Sequence, residues 1–256
     1  MTGYASGLGK ALAEHYLAKG ASLLLLDIKP DAELQNQLKQ RASMQQKIEF
    51  IHVDICEPVT LKQQVDFAIR RFGQLDLCIH CAGILVSKPF LQIDHFEFQR
   101  QIDVNLVGTR NMVAALVPHL ENGGQLALVA SMAGLTGVYG YSAYSASKYG
   151  VIGLGRALQL ELKPLGIDVS IICPPTIDTP MVQEEAKKIH PATKALKDIA
   201  GTLNVDEACQ QIMHGLEKRK SLIIPGKKAK FVYYSERFAP AFLVKRVSEY
   251  LIKNKG

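Results

Sequence analysis

Residues 2–28 read TGYASGLGKALAEHYLAKGASLLLLDI. Gly3, Gly7 and Gly9 lack Cβ atoms, so backbone there can turn tightly and approach a pyrophosphate closely. Ser6 and Leu8 lie between those glycines and belong to the same candidate cradle. Leu12, Tyr16 and Leu17 then recur at helical spacing, which predicts a helix whose free N–H groups face phosphate. Residues 21–28 form an apolar run that predicts a buried strand and brings in Asp27, 24 residues after Gly3. A dinucleotide fingerprint places an acid about 20 residues on, where it bonds a ribose 2′-hydroxyl. A carboxylate there repels a 2′-phosphate, so NAD(H) is favoured over NADP(H), while Lys29 beside it keeps NADP(H) open. An ordinary glycine-rich turn and a solvated loop acid have the same composition, so other features must decide.

The rest of the chain alternates in the same way. Strands are predicted at residues 48–55, 75–82, 126–130, 167–173 and 221–226, and helices at 31–47, 58–72, 94–117, 144–163, 181–200 and 204–218. That order predicts an α/β, doubly wound, Rossmann-type parallel sheet in a single domain over residues 1–226. Such a sheet needs a strand before the glycine loop, yet only Met1 precedes Thr2. The expectation is a sheet short of its first strand, or a true start upstream of Met1.

Residues 131–148 read SMAGLTGVYGYSAYSASK and carry the chemistry. Tyr144 and Lys148 are four apart, one helical turn from each other on one face. Ser131 lies 13 residues before Tyr144, at the end of an apolar strand. An ammonium favours a neighbouring phenolate, and a serine hydroxyl can hold a carbonyl oxygen. Together these supply a proton donor, a charge that tunes it and a hydrogen-bond clamp.

That constellation, with Thr-Gly-x-x-x-Gly-x-Gly at residues 2–9 and Asn105 between, resembles the short-chain dehydrogenase/reductase family from Thr2 to about Ile224. The resemblance implies hydride transfer between a nicotinamide and a carbonyl or alcohol. It implies catalytic roles for Ser131, Tyr144, Lys148 and Asn105, the last interrupting its helix and holding a water that serves the lysine. It also implies that Asp54 meets the adenine, with Ile55 giving backbone only. By the same likeness Ala82 and Gly83 let backbone pass the cofactor, Lys148 holds the ribose hydroxyls, and Ile177 and Thr179 hold the carboxamide. Two departures stand out. His80-Cys81 replaces the usual Asn-Asn before Ala-Gly, and Pro175 replaces a usual glycine. Pro174-Pro175-Thr176-Ile177-Asp178-Thr179-Pro180 and the text ALQLELKPLGIDVSI resemble the branch that includes 3-ketodihydrosphingosine reductases.

Other patterns are decoys. Tyr139 and Tyr141 have no lysine four residues on, and Ser145-Ala146-Ser147-Lys148 lacks the partner motifs of an acyl-enzyme site. Cys78-Ile79-His80-Cys81 lies late in a strand rather than at a helix start. The five cysteines are scattered, which fits a reducing compartment, and no histidine has metal-ligand spacing, so no metal is proposed. With no apolar run near the ~20 residues of a span and no leader pattern after Met1, a cytoplasmic protein is expected.

The net charge is +6, and residues 227–256 hold eight Lys/Arg and two acids, so that basic extension alone accounts for it. Phe231, Tyr233, Tyr234, Phe238, Phe242 and Tyr250 are interleaved with its lysines and arginines. An amphipathic helix on an anionic membrane, a lid over a greasy substrate, a subunit contact and a helix packed on its own domain all suit that pattern. The neutral remainder argues against nucleic acid. Gly150, Gly153 and Gly155 suit a helix pressed against a second copy, hence a homo-oligomer, or against the sheet. The function expected is NAD(P)-dependent oxidoreduction of a lipophilic ketone or alcohol. The alternatives are a 3-oxoacyl-carrier-protein reductase and a non-catalytic NAD-binding interaction protein.

Overall fold

The leucine run of residues 23–26 is buried on both faces and becomes β1 (Leu23–Asp27), which pairs in parallel with β2 (Ile48–His52). Unbroken apolar strands of this kind belong in a parallel sheet covered by helices on both sides. This is a computed structural model of the chain, describing residues 1–240, 242, 246, 249, 250, 252 and 253. The order of elements is α1 (Gly7–Ala18), β1, α2 (Ala32–Arg41), β2, α3 (Pro58–Phe72), β3 (Leu75–His80), α4 (His95–Ile102) and α5 (Gly108–Leu116). Then come β4 (Leu120–Val129), α6 (Ser142–Glu161), β5 (Asp168–Ile172), β6 (Thr176–Ile177), α7 (Pro180–Ala186) and α8 (Pro191–Ala200). β7 (Thr202–Leu203), α9 (Val205–Glu217), β8 (Leu222–Ile223) and α10 (Lys227–Phe238) follow.

β3, β4, β5 and β8 form a second parallel group, in that order. The two groups are joined where the first strand of such a sheet belongs. Thr2 bridges Leu26 on one side and His80 on the other, both in parallel. The Thr2 N–H donates to the Ile79 carbonyl at 3.0 Å, and the Leu26 N–H donates to the Met1 carbonyl at 2.8 Å. Residues 1–3 therefore occupy the first-strand position at the end of the sheet nearest the glycine loop. The Met1 ammonium donates to the Leu24 carbonyl at 2.6 Å, and burial lowers its pKa.

Side chains alternate across β4. Leu126 and Leu128 share one core cluster with Leu61 of α3, Met112 of α5 and Val151 of α6, whereas Ala127 belongs to a second with Leu12 of α1 and Ile212 and Leu216 of α9. The result is the doubly wound α/β domain that the sequence predicts. Several boundaries differ, for local reasons. The helix expected over 94–117 is interrupted, as the resemblance implied at Asn105, by a π turn, Asp103–Val107. The one expected over 181–200 is two helices, because the residue before Pro191 is held extended (His190 ψ 139°). The short β6–β7 pair had no period to announce it.

The three glycines of α6 face different surroundings. A Cβ on Gly150 would meet Leu106 at 2.7 Å and one on Gly155 would meet Ile171 at 2.7 Å, so both serve packing within the chain. A Cβ on Gly153 would have nothing within 4 Å. Of the basic extension, α10 is described and packs on α8, with Val232 and Tyr233 against the core. Residues 241, 243–245, 247, 248, 251 and 254–256 lie outside the described residues.

Candidate active site

The glycine loop is a backbone-lined cradle. Gly3 (φ +70°) has no room for a side chain, since a Cβ would lie 2.7 Å from the Ala82 nitrogen. A Cβ on Gly9 would come within 1.9 Å of the Gly3 carbonyl oxygen, so loop and helix touch only because Gly9 lacks one. Ser6 is the N-cap of α1 and offers no side-chain bond to the helix. Asp27 closes the far wall: one carboxylate oxygen accepts from the Ala5 N–H and the other from the Lys29 N–H, each at 3.0 Å. Asp54 accepts from the Cys56 N–H at 2.8 Å, and the Ile55 carbonyl accepts from Asn111 at 3.0 Å.

A cavity of about 480 Å³ runs from this cradle to Ser131, Tyr144 and Lys148. Its wall includes Gly3, Ser6, Gly7, Leu8, Gly9, Asp27, Asp54 and Ile55 at one end. Ala82, Gly83, Ile177 and Thr179 line it further in. The sheet's strand ends bring every one of these together except Asn105, which stands just behind Gly83: a Cβ on Gly83 would lie 3.2 Å from its side-chain oxygen. This fits a dinucleotide: an open backbone cradle, a helix N-terminus and an acid at the ribose end.

Ser131 lies two residues past the end of β4 and caps a short turn, accepting from the Ala133 N–H at 3.1 Å. Tyr144 and Lys148 share one face of α6, with the Lys148 ammonium nitrogen 5.7 Å from the Tyr144 ring centre. Burial outweighs neighbouring charge here. It pushes the Tyr144 hydroxyl up to about 12, against a hydrogen bond with Ser131 that favours the phenolate and with Glu185 adding to the rise. Burial also brings Lys148 down to about 8, opposed by Cys81 and Cys173. The Lys148 charge, expected to lower the Tyr144 pKa, is set here against burial, which leaves a protonated phenol beside a lysine brought down to about 8. Lys148 donates to the Val129 carbonyl at 3.0 Å.

Asn105 is buried in the π turn rather than facing solvent. Its side-chain oxygen accepts from the Ile84 N–H at 2.8 Å, and its amide nitrogen donates to the Ile84 carbonyl at 2.9 Å and to Ser147 Oγ at 3.0 Å. The residue thereby ties the strand-end loop to α6. His80, in place of the usual asparagine, is buried and shares a 2.7 Å hydrogen bond between its Nδ1 and the Thr2 hydroxyl, linking β3 to the first-strand position. Burial, with Lys148 and the Met1 ammonium adding, drives its pKa down to about 3, so the ring is neutral. Cys78 and Cys81 are likewise pushed up by burial, to about 11 and about 12, and stay thiols.

A model of the short chain dehydrogenase family matches residues 1–190. The chain belongs to the short-chain dehydrogenase family. It is 36% identical over 201 residues to a (-)-trans-carveol dehydrogenase of Rhodococcus erythropolis, covering 72% of each chain. It is 28% identical over 219 residues to a mouse 3-ketodihydrosphingosine reductase, covering 83% of this chain and 66% of that one. Its structure resembles a carveol dehydrogenase from Mycobacterium avium in complex with NAD, at a TM-score of 0.76 and 25% identity, over 88% of this chain and 95% of that one. As a family member the chain is an oxidoreductase of alcohol and carbonyl groups that works with NAD(P).

Sequence reasoning placed residues 181–200 over the substrate but named no individual residue on the substrate side. Val138, Met181, Val182, Leu196 and Val232 line the cavity beyond Tyr144, from four separate segments. Tyr141, set aside as a decoy, is buried and lines it too. Its signal was its distance of three residues from Tyr144, which puts both rings on one helix face.

Proposed function

We propose that the chain interconverts a lipophilic secondary alcohol and its ketone with NAD(H), using Tyr144, Ser131, Lys148 and Asn105. The observation that carries this is that the apolar side chains Val138, Met181, Val182, Leu196 and Val232 line the same cavity as Tyr144 and Ser131. A nicotinamide, when bound, supplies or accepts the hydride. Gly3, Ser6, Gly7, Leu8 and Gly9 would hold its phosphates, Asp27 a ribose, Asp54 and Ile55 the adenine end, and Ile177 and Thr179 the carboxamide. Ala82 and Gly83 give it passage.

In reduction Tyr144, held protonated by burial, donates its proton to the substrate oxygen, and in oxidation its phenolate takes that proton back. The Ser131 hydroxyl holds the same oxygen. Lys148, at about 8, can hold or release a proton at Nζ as Tyr144 turns over. Asn105 keeps the Gly83–Ile84 backbone against α6, so the reacting groups stay aligned. NAD(H) is preferred because Asp27 stands where a 2′-phosphate would meet its carboxylate.

α10 adds a surface to this reading. Lys227, Lys228, Lys230 and Arg237 are exposed together with Phe231, Tyr234 and Phe238, while Val232 on its inner side lines the cavity. Cations beside aromatic rings suit an anionic bilayer surface, which brings a lipophilic substrate to the chamber. Among the described residues no helix is long and apolar enough to cross a membrane.

Nicotinamide absorbance with carveol, a long-chain 3-ketone and a 3-hydroxyacyl thioester tests the substrate class. Turnover of the first two supports it; turnover of the thioester alone replaces it with an acyl-group reading. Tyr144→Phe should cut turnover by about 10³-fold while thermal shift with NADH persists. Sedimentation with phosphatidylserine vesicles but not phosphatidylcholine vesicles is expected for the surface of α10.

A further inference from the structure

The roof over the chamber contains a buried charge pair that the reaction does not call for. Glu185 on α7 and Lys197 on α8 form an ion pair at 2.5 Å, with side chains 5% and 13% exposed. It is the most buried ion pair among the described residues. The second Glu185 oxygen accepts a hydrogen bond from the Tyr141 hydroxyl. The Lys197 ammonium nitrogen lies 5.7 Å from the centre of the Tyr141 ring. That ring meets Tyr144 edge-on, at 5.3 Å between centres and 68° between planes. A chain of contacts thus runs from two roof helices to the candidate acid. The roof is also pinned by Thr193, whose hydroxyl donates to the Tyr139 carbonyl at 2.8 Å, and by His190, whose ring lies 4.7 Å from that of Tyr139.

Stability alone does not account for the pair. Taking two charges out of water offsets most of their attraction, and an apolar pair of the same volume often serves as well. What an apolar pair lacks is a fixed geometry and a field. We propose that Glu185 is a positioning residue: paired with Lys197 and bonded to Tyr141, it latches α7 and α8 over the chamber and sets the charge around Tyr144. This rests on the reading of Tyr144 as the acid–base group. The titratable groups around Tyr144 are Tyr141 just before α6, Lys148 on α6, Glu185 on α7 and Lys197 on α8, with Cys81 and Cys173 behind Lys148. Glu185 is the carboxylate in that set, and its negative charge favours the protonated phenol.

The sign follows. Removing the carboxylate favours the phenolate, so alcohol oxidation should begin at lower pH. Removing Lys197 leaves the carboxylate uncompensated and should move the limb upward. The full-length protein is assayed for alcohol oxidation with NAD, using carveol or whichever probe alcohol it turns over. Trypsin cleavage after Lys187, Lys188 and Lys194 of the roof is followed with NAD present. For Glu185→Gln, which keeps an acceptor for Tyr141, the acid limb of kcat/KM should fall by about half a pH unit or more. Its KM should rise more than kcat falls, and roof cleavage should quicken several-fold. Lys197→Met should shift the limb the opposite way and also quicken cleavage. Glu185→Gln with Lys197→Met removes both charges, and should fold even if a single variant does not. It should cleave fast and keep the limb close to the wild-type position.

Unmoved limbs and unchanged cleavage in these variants, with Tyr144→Phe inactive, would overturn the latch and leave the catalytic reading standing. If Tyr144→Phe retains turnover, the catalytic reading falls and roof cleavage alone decides the latch. Quickened cleavage with an unmoved limb overturns the electrostatic half of the proposal.

Discussion

The cradle at residues 3–9 meets its ligand space with backbone, whereas the roof over residues 181–200 meets it with side chains. In the cradle, glycine is required because atoms already fill the places where side chains would go: the Gly3 carbonyl stands 1.9 Å from a Cβ on Gly9. In the roof, Met181, Val182, Leu196 and Lys197 line the same cavity from two short helices. The difference separates what a family shares from what one member selects. On the proposed reading, backbone geometry binds the common cofactor and side chains on the two short helices choose the substrate.

The most severe way to test that division is at Gly9. Gly9→Ala forces loop and helix apart, so we expect a loss of several kcal/mol in stability, above the ~1–3 kcal/mol of ordinary overpacking, together with loss of NADH binding. Chemical denaturation and thermal shift with NADH would read both. A protein that keeps its midpoint and its NADH response would show that the cradle tolerates side chains and would erase the contrast.

His80 belongs with the cradle, since its hydrogen bond to Thr2 holds the first-strand position. Its ring is neutral in the fold, with a pKa of about 3, and protonates in the unfolded chain near 6.5. The unfolded state therefore binds more protons as pH falls below that value. Stability from this residue is complete above pH ~6.5 and declines by about 1.4 kcal/mol per pH unit toward pH ~3. His80→Asn, which restores the family's usual residue, should flatten that acid limb in denaturation curves recorded from pH 7 to 4. An unchanged limb would place the acid sensitivity elsewhere.

These two residues also mark what was legible in the sequence. The glycine spacing, Asp27 and the Ser131–Tyr144–Lys148 set were legible because each is fixed by local spacing on one loop or helix. The alternation of apolar runs announced the parallel sheet for the same reason. The two-residue strands β6 and β7 depend on partners far away in the chain, and a pattern of period two needs more than two residues, whereas the break before Pro191 has a local cause in the proline itself. Glu185 and Lys197 were illegible: nothing in residues 181–200 says that one carboxylate and one ammonium turn inward while Glu184, Lys187, Lys188, Lys194 and Asp198 stay exposed. Their pairing is set by how two helices dock on the loop carrying Tyr141.

Asp27 and Leu196 compare the two ends at smaller scale. Asp27→Asn keeps an acceptor for one backbone N–H but removes the charge facing a 2′-phosphate, so the NADP/NAD ratio of kcat/KM should rise by about tenfold, or ~1.4 kcal/mol. Leu196→Ala should leave that ratio alone and raise KM for a lipophilic alcohol several-fold, in line with the ~1–3 kcal/mol that apolar groups contribute to such pockets. A cofactor effect from Leu196, or a substrate effect from Asp27, would show that the two ends are coupled rather than separate.

The smallest effect expected is at Gly153, and its sign carries the information. Gly155 contacts Ile171 closely, so Gly155→Ala must push the sheet away and should destabilise. Gly153 lies one half-turn off, on the exposed side of the same helix, with no atom near its missing Cβ. In a monomer, Gly153→Ala gains helix propensity and should stabilise by about 0.5–1 kcal/mol. If a second copy presses its own α6 there, the added methyl separates the two backbones, and the same substitution should destabilise and shift the assembly toward monomer. Thermal midpoints measured across a hundredfold range of protein concentration, with sedimentation equilibrium at both ends, separate the outcomes. A higher, concentration-independent midpoint means that this face is solvent. A lower, concentration-dependent one means that the glycine reserves room for a partner chain.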